Sequence, residues 1–476
     1  MGDRHSISAT TEAERTSSAP RVALIWLAAT MTASSLPVGV LIAQLFPLAP
    51  FLWVVLLASA LFAAVGIISI PGFVYGIPTM AVSGRVFGKP VNKLISLSNW
   101  MSQLGWQAVV LVLVVYILRS VFDSYGLLPA NTSIYYALVL AMLGNFVVPI
   151  IGYKAIVTAQ TAGALFLALF AIAILVYLHG GQALSMTPAV GHFDGIQTLG
   201  GTSLALMGGA FSWTMFASDY SRYVRRDTSL AGMALWPSLG GFAGGGLILA
   251  LAITLYVHGG IQVGPAGISI TATGLGTSAL YLGFCTFAIL GLLASNFLNS
   301  YSSAFSLAVV VGKDLNRKKF TALDAVLATL VGIYMLFVAP SFWDSFQTFL
   351  DLLIIVAAPW TGVMITYVLW DVLPEARGGL SRLLHRRANV WVFVIGVAVT
   401  VFFSNNPLWE GYGAHLLHGT DISPLVGVAT TIVASILYRV LFCHHTATDE
   451  QGQASALSKL VVSKIIQMGT DDGKNI

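Results

Sequence analysis

The residues of this sequence with chemistry to offer are amides and tryptophans set inside long apolar runs. Asn99, Gln103 and Trp106 recur at helical spacing, so they share one face. Asn296 and Asn299, three apart, are neighbours on a second helical face. An amide presents a donor and an acceptor side by side, and an indole presents a flat apolar face. Together they could hold a flat molecule edged with donors and acceptors. Polar side chains in mid-bilayer usually face a bundle interior or a cavity. Asp351 sits within an apolar run, deeper than any other acid in the chain's runs, where a carboxyl group can load and release a proton. Ser-His-Asp order, a phosphate loop and metal-ligand spacing are all missing from the sequence, so neither an enzyme nor a metal site is expected. Cys285 and Cys443 lie far apart and read as packing residues.

The elements that must position these side chains follow from composition. The chain is 57% hydrophobic and 9% charged, whereas a soluble domain carries about 25% charged residues. Apolar runs of about 20 residues are each long enough to cross a bilayer, and continuous runs cross it as helices. The spans read as 21–44, 50–76, 94–122, 134–152, 156–179, 199–219, 232–258, 279–311, 321–339, 346–370, 390–404 and 422–443. This predicts an all-α polytopic membrane protein of about twelve helices. With both termini inside, all but Arg119 of the 23 Lys and Arg residues fall on the cytoplasmic side. The net charge of +4 then reflects topology, and no nucleic-acid partner is expected. Residues 1–20 and 444–476 read as cytoplasmic tails around a 21–443 transmembrane domain.

Two spans look interrupted. The first carries Thr32-Ala33-Ser34-Ser35-Leu36-Pro37-Val38-Gly39, and the sixth carries Gly208-Gly209-Ala210-Phe211-Ser212. Proline removes a helix hydrogen bond, and paired glycines ease unwinding. Interruptions five spans apart point to an inverted-repeat transporter with its site at the breaks. Ser34, Ser35, Gly208 and Gly209 are therefore candidate substrate contacts. The third and eighth spans, also five apart, are both unusually long. The repeats would cover about 21–179 and 199–370, leaving two extra helices in 390–443.

Specific stretches then carry a family resemblance. They are Gly76-Ile77-Pro78-Thr79, Arg85-Val86-Phe87-Gly88, Leu104-Gly105-Trp106, Ser212-Trp213, Asp219-Tyr220-Ser221-Arg222-Tyr223, Asn296-Phe297-Leu298-Asn299-Ser300-Tyr301-Ser302 and Ala358-Pro359-Trp360-Thr361-Gly362-Val363. In these the chain resembles the nucleobase–cation symporter family, which includes cytosine permease, purine-cytosine permeases and the hydantoin transporter. The resemblance implies a LeuT-like five-plus-five inverted repeat with two C-terminal helices. It also implies a substrate site between spans one, three, six and eight.

By that resemblance Trp106 matches the stacking residue, with Phe211 or Trp213 closing the opposite face of the ring. Asn296 and Asn299 would read the edge of the base. A coupling cation would meet the carbonyls of Ala33 and Leu36 and the hydroxyl of Ser295. At Ala294 a second hydroxyl of the hydantoin transporter is missing, which favours H+ over Na+ and makes Asp351 the candidate carrier. The expected function is import of a cytosine, purine or related planar heterocycle, coupled to a cation by alternating access. The alternatives are an amino-acid or other small-solute symporter of the same architecture, and a membrane sensor. The expected partners are a small heterocycle and membrane lipid, with no cofactor beyond the coupling ion. A monomer in the inner or plasma membrane is expected.

Overall fold

The computed structural model describes residues 4–5, 7–47, 49–151, 153–179, 194–258, 261–264, 267–270, 278–376 and 386–441. The C-terminal tail expected at 444–476 lies outside them. Among the described residues, ten helices are long and apolar enough to cross a membrane, and one bent pair adds another span. We number the spans in chain order. The bent pair is α1, with halves α1a (Ala19–Thr30) and α1b (Ser35–Leu45) meeting at 60°. Next come α2 (Phe51–Tyr75), α3 (Lys89–Ser124), α4 (Ser133–Ile151) and α5 (Ala155–Leu178). The broken α6 follows as α6a (Gly195–Met207), α6b (Ala210–Thr214) and α6c (Ser218–Ser221). The rest are α7 (Leu230–Val257), α8 (Ser278–Val311), α9 (Lys318–Phe337), α10 (Asp344–Ala376), α11 (Arg386–Phe403) and α12 (Ser423–Leu441).

Both expected interruptions are present. In α1, Pro37 falls in the first turn of α1b, where its missing N–H needs no partner. The turn itself is made by Ser35 N bonding Thr32 O and Leu36 N bonding Ala33 O, each at 3.1 Å. The sixth span, expected at 199–219 with an interruption, is three short helices. Gly208 and Gly209 separate the first two, with no left-handed backbone at either. The helices α3 and α8 are 36 and 34 residues long and pack along each other.

Packing sorts the helices into two groups. The spans α3, α4, α8 and α9 contact one another, and α1 and α2 each pack on both α6 and α7. Close approach within the second group depends on small residues. A Cβ on Gly240 of α7 would stand 2.1 Å from Ala23 O of α1a, so only glycine lets the two backbones meet there. Many large apolar side chains point outward, Leu169 at 63% exposure and Trp391 at 68% among them. Such a surface suits lipid and not water.

The N-terminal segment is held against the helix ends. Residues 7–18 lie across the ends of α2 and α6. Thr10 Oγ1 donates to Gly76 O (3.2 Å) and Arg222 O (2.9 Å). Arg15, 5% exposed, donates to Phe73 O (3.0 Å) and Val224 O (3.2 Å). The carbonyls of Phe73, Gly76 and Arg222 lie at helix ends and have no intrahelical donor, so polar residues of the segment satisfy them.

Candidate functional site

The breaks of α1 and α6 face α3 and α8 across a small cavity. Its lining residues are Ser34, Trp106, Gly208, Ser212, Trp213, Ser295 and Asn299. Six of these were singled out by the sequence, and Ser212 was not. Trp106 is held from behind by α10, with Phe349 and Phe346 edge-on at 5.3 and 6.1 Å. Its Nε1 is buried and makes no hydrogen bond. Trp213, on the α6 wall, is held edge-on by Trp26 at 5.7 Å and Phe216 at 5.1 Å. Ser212 Oγ donates to Gly209 O at 2.8 Å, bracing the break. A second cavity, inside the α1–α2–α6–α7 group, shares Gly208 and Trp213 and is also lined by Ser35 and Gly209.

Other expected contacts point elsewhere. Asn99 donates to Ser306 Oγ (2.9 Å) and Met215 O (3.4 Å), joining α3 to α8 and α6. Gln103 Nε2 reaches the same Ser306 Oγ at 3.5 Å, and its Oε1 is buried without a partner. Asn296 turns to α4, donating to Asn145 O at 3.2 Å. Asn296 and Asn299 thus part company although three residues apart, since α8 is enclosed by helices on several sides. Between Phe211 and Trp213, the cavity takes Trp213. Phe211 is 1% exposed and lines neither cavity.

The expected cation position is crowded. A Cβ on Gly291 would stand 2.3 Å from Met31 O, so α8 presses directly on the α1 break. Ala33 O already accepts Leu36 N at 3.1 Å. One turn along α8, Ala294 O accepts Gln160 Nε2 of α5 at 2.6 Å. Ser295 lines the substrate-side cavity.

Asp351 lies apart from that cavity. It is 2% exposed, its Oδ2 has no hydrogen bond, and it lines a third cavity of about 330 Å3 with Gln347, Asn405, His418, Thr420 and Asp421. Asp421 accepts Asn405 N and Ser423 N, each at 2.7 Å, and burial raises its carboxyl above the ordinary range. Asp351 is not alone among the acids in being buried. Asp324 of α9 is fully buried. It accepts Trp100 Nε1 (3.1 Å) and Gln107 Nε2 (3.3 Å) from α3, and Ser303 Oγ from α8. Asp219 is 2% exposed and caps the connecting helix Thr79–Phe87 through Thr79 N (2.8 Å) and Thr79 Oγ1 (2.9 Å). Its neighbour Arg222 donates to Ser8 O at 2.8 Å.

Comparison with known proteins fits this geometry. A nucleobase-cation-symport-1 family transporter, Mhp1, in a closed conformation with bromovinylhydantoin bound, superposes with a TM-score of 0.65 at 15% identity. The match covers 92% of this chain and 96% of that one. The inward-facing conformation of Mhp1 gives 0.62 at 16% identity, covering 90% and 91%. A Na+-coupled sialic acid symporter in a substrate-bound outward-open state gives 0.58 at 14%, covering 90% and 91%. The fold is therefore the LeuT-like five-plus-five inverted repeat with two further helices. No curated protein matches the chain in sequence. A family profile described as permease for cytosine/purines, uracil, thiamine, allantoin matches residues 9–373, most of the chain. The chain is therefore a member of the cytosine/purine permease family, a multi-pass membrane transporter and not an enzyme.

Proposed function

We propose that this permease imports a nucleobase, cytosine or a purine, or a closely related planar heterocycle. The observation that carries the proposal is the cavity at the two helix breaks. It combines two indoles, Trp106 and Trp213, with the amide of Asn299 and the hydroxyls of Ser34, Ser212 and Ser295. Indole faces suit a flat ring, and an amide with hydroxyls suits an edge of alternating donors and acceptors. Two indole faces together with an amide suit a flat base better than a zwitterionic amino acid.

Alternating access follows from how the cavity is built. Trp106, Ser295 and Asn299 belong to the α3–α8 group, and Ser34, Gly208, Ser212 and Trp213 belong to the α1–α6 group. Rocking one group against the other opens the cavity to one side at a time. In this proposal a cation drives the cycle, and the cation is the proton. Gly291 is pressed on Met31 O, Ala33 O is engaged in its turn, and Gln160 donates to Ala294 O. A hard cation needs several oxygen ligands, and Gly291 and Ala294 bring no side-chain oxygen to this close-packed position. Asp351, with an unpaired oxygen in the large end cavity, is the carboxyl that meets the proton at the mouth. The protein works as a monomer in the inner or plasma membrane with both termini cytoplasmic.

The test is competition. Uptake of labelled cytosine and of labelled hypoxanthine is measured in transport-null cells expressing the protein, against a panel of unlabelled bases and amino acids. Planar bases should compete and amino acids should not. Uptake of neither base, or competition by amino acids alone, contradicts the proposal.

A further inference from the structure

Asp324 is a fully buried carboxyl that the substrate cavity does not use directly. It ties together the two helices that carry the cavity's frame-side residues. On α3 it accepts from Trp100 and from Gln107, and Gln107 follows Trp106 in the chain. On α8 it accepts from Ser303, one helical turn beyond Asn299. Its partners are all neutral. Of the elements packed on α9, α4 and α8 carry no charged side chain; α3 carries Lys89 and Lys93 near one end and the paired Arg119 and Asp123 near the other; and α10 carries Asp344, Asp351, Asp371 and Glu375, with Asp371 paired to Arg439 at 2.7 Å and Glu375 accepting from Tyr75. On its own helix, Lys318 and Lys319 are exposed at the N terminus, as are Lys313 and Asp314 at the end of α8.

The surroundings of Asp324 can serve either charge state. With the carboxylate ionised, the Ser303 hydroxyl, Gln107 Nε2 and Trp100 Nε1 all donate to it. When a proton binds, an O–H bond forms on Oδ2. Ser303 then accepts from that O–H and turns its own hydrogen to Ser300 O, which already lies 3.2 Å away. Gln107 offers a second adjustment: its Oε1 is buried with no hydrogen bond, so rotating the amide presents an acceptor to the neutral acid. Each adjustment moves a residue next to, or one turn from, a residue of the cavity wall.

We propose that Asp324 binds the coupled proton, and that its protonation is felt at the substrate through Gln107–Trp106 and Ser303–Asn299. The inference rests on the proton-coupled nucleobase reading above. It assigns the proton an internal site on the α3–α8–α9 frame, distinct from Asp351 at the mouth.

The test measures affinity for the best-competing base of the panel, on purified full-length protein from acid to alkaline pH. In the wild type, affinity should fall with rising pH, by up to about tenfold per pH unit where one proton is linked to binding. Asp324→Asn, which mimics the neutral acid in shape, should bind with the wild type's acid-side affinity at every pH. Asp324→Glu should restore a pH dependence, showing that the carboxyl matters and not packing alone. As a readout that needs no ligand, the infrared carboxylic-acid band that appears on acidification should lose a component in Asp324→Asn. An Asp324→Asn protein whose affinity varies with pH as the wild type's does, or whose infrared response is unchanged, overturns the assignment. A wild type that binds bases with pH-independent affinity overturns the proton reading, and the inference with it. A wild type that binds no base overturns the nucleobase reading instead.

Discussion

Trp106 and Trp213 line one cavity from two different helix groups, and each is steadied by other aromatic rings: Trp106 by Phe346 and Phe349, Trp213 by Trp26 and Phe216. Rings fixed in this way are held in place at the cavity wall. Stacking on one ring is worth ~1–3 kcal/mol per base. Trp106→Ala should therefore weaken base binding by up to about a hundredfold while leaving membrane expression intact. Equilibrium binding on purified protein checks this, and an unchanged affinity would remove Trp106 from the site.

The two asparagines of α8 should behave differently. Asn299→Ala should change which bases compete, because it removes an amide from the cavity wall. Asn296→Ala loses its bond to Asn145 O and should cost stability of ~0.6–2 kcal/mol, with the competition pattern preserved. A competition panel and a thermal melt on both variants separate the two roles. Equal weakening of every base by Asn299→Ala would show that its amide does not read the edge.

Gly291 sets how closely α8 meets the break of α1. A Cβ there would stand 2.3 Å from Met31 O, a backbone atom that cannot turn aside. Gly291→Val should therefore lower both thermal stability and uptake. Full activity in Gly291→Val would mean that the α1 break is not held against α8 during transport.

The N-terminal segment also carries weight. Arg15→Ala leaves the carbonyl of Val224 without this donor, while Phe73 O keeps Arg226 Nη1 at 3.2 Å. Each buried group left unpaired costs ~1–3 kcal/mol. The melting temperature should fall, and Arg15→Lys, a single point donor, should recover only part of the loss. A melt identical to wild type would show the segment to be dispensable.

The two breaks were legible because proline and paired glycines mark them in the sequence. Trp106 and Asn299 were legible as polar or aromatic residues on predictable helical faces. The direction of each face was not. Asn99, Gln103 and Asn296 have the chemistry of ligand contacts, yet bond to neighbouring helices, since periodicity fixes a face but not what it meets. Asp324 was missed for a related reason. It follows Arg317, Lys318 and Lys319 closely, near the start of its apolar run, and nothing in that run marks it out. Only the partners brought by α3 and α8 show it as buried. The contacts of residues 7–18 were not legible, because their partners are distant backbone carbonyls, which side-chain patterns do not reveal.

The most direct test of the account is uptake by purified protein in sealed proteoliposomes, with labelled cytosine or the best-competing base of the panel. An inward proton gradient without sodium should drive accumulation above equilibrium, and a sodium gradient without a proton gradient should not. Accumulation driven by sodium alone would contradict proton coupling, and failure of any base to enter under either gradient would contradict the nucleobase assignment itself.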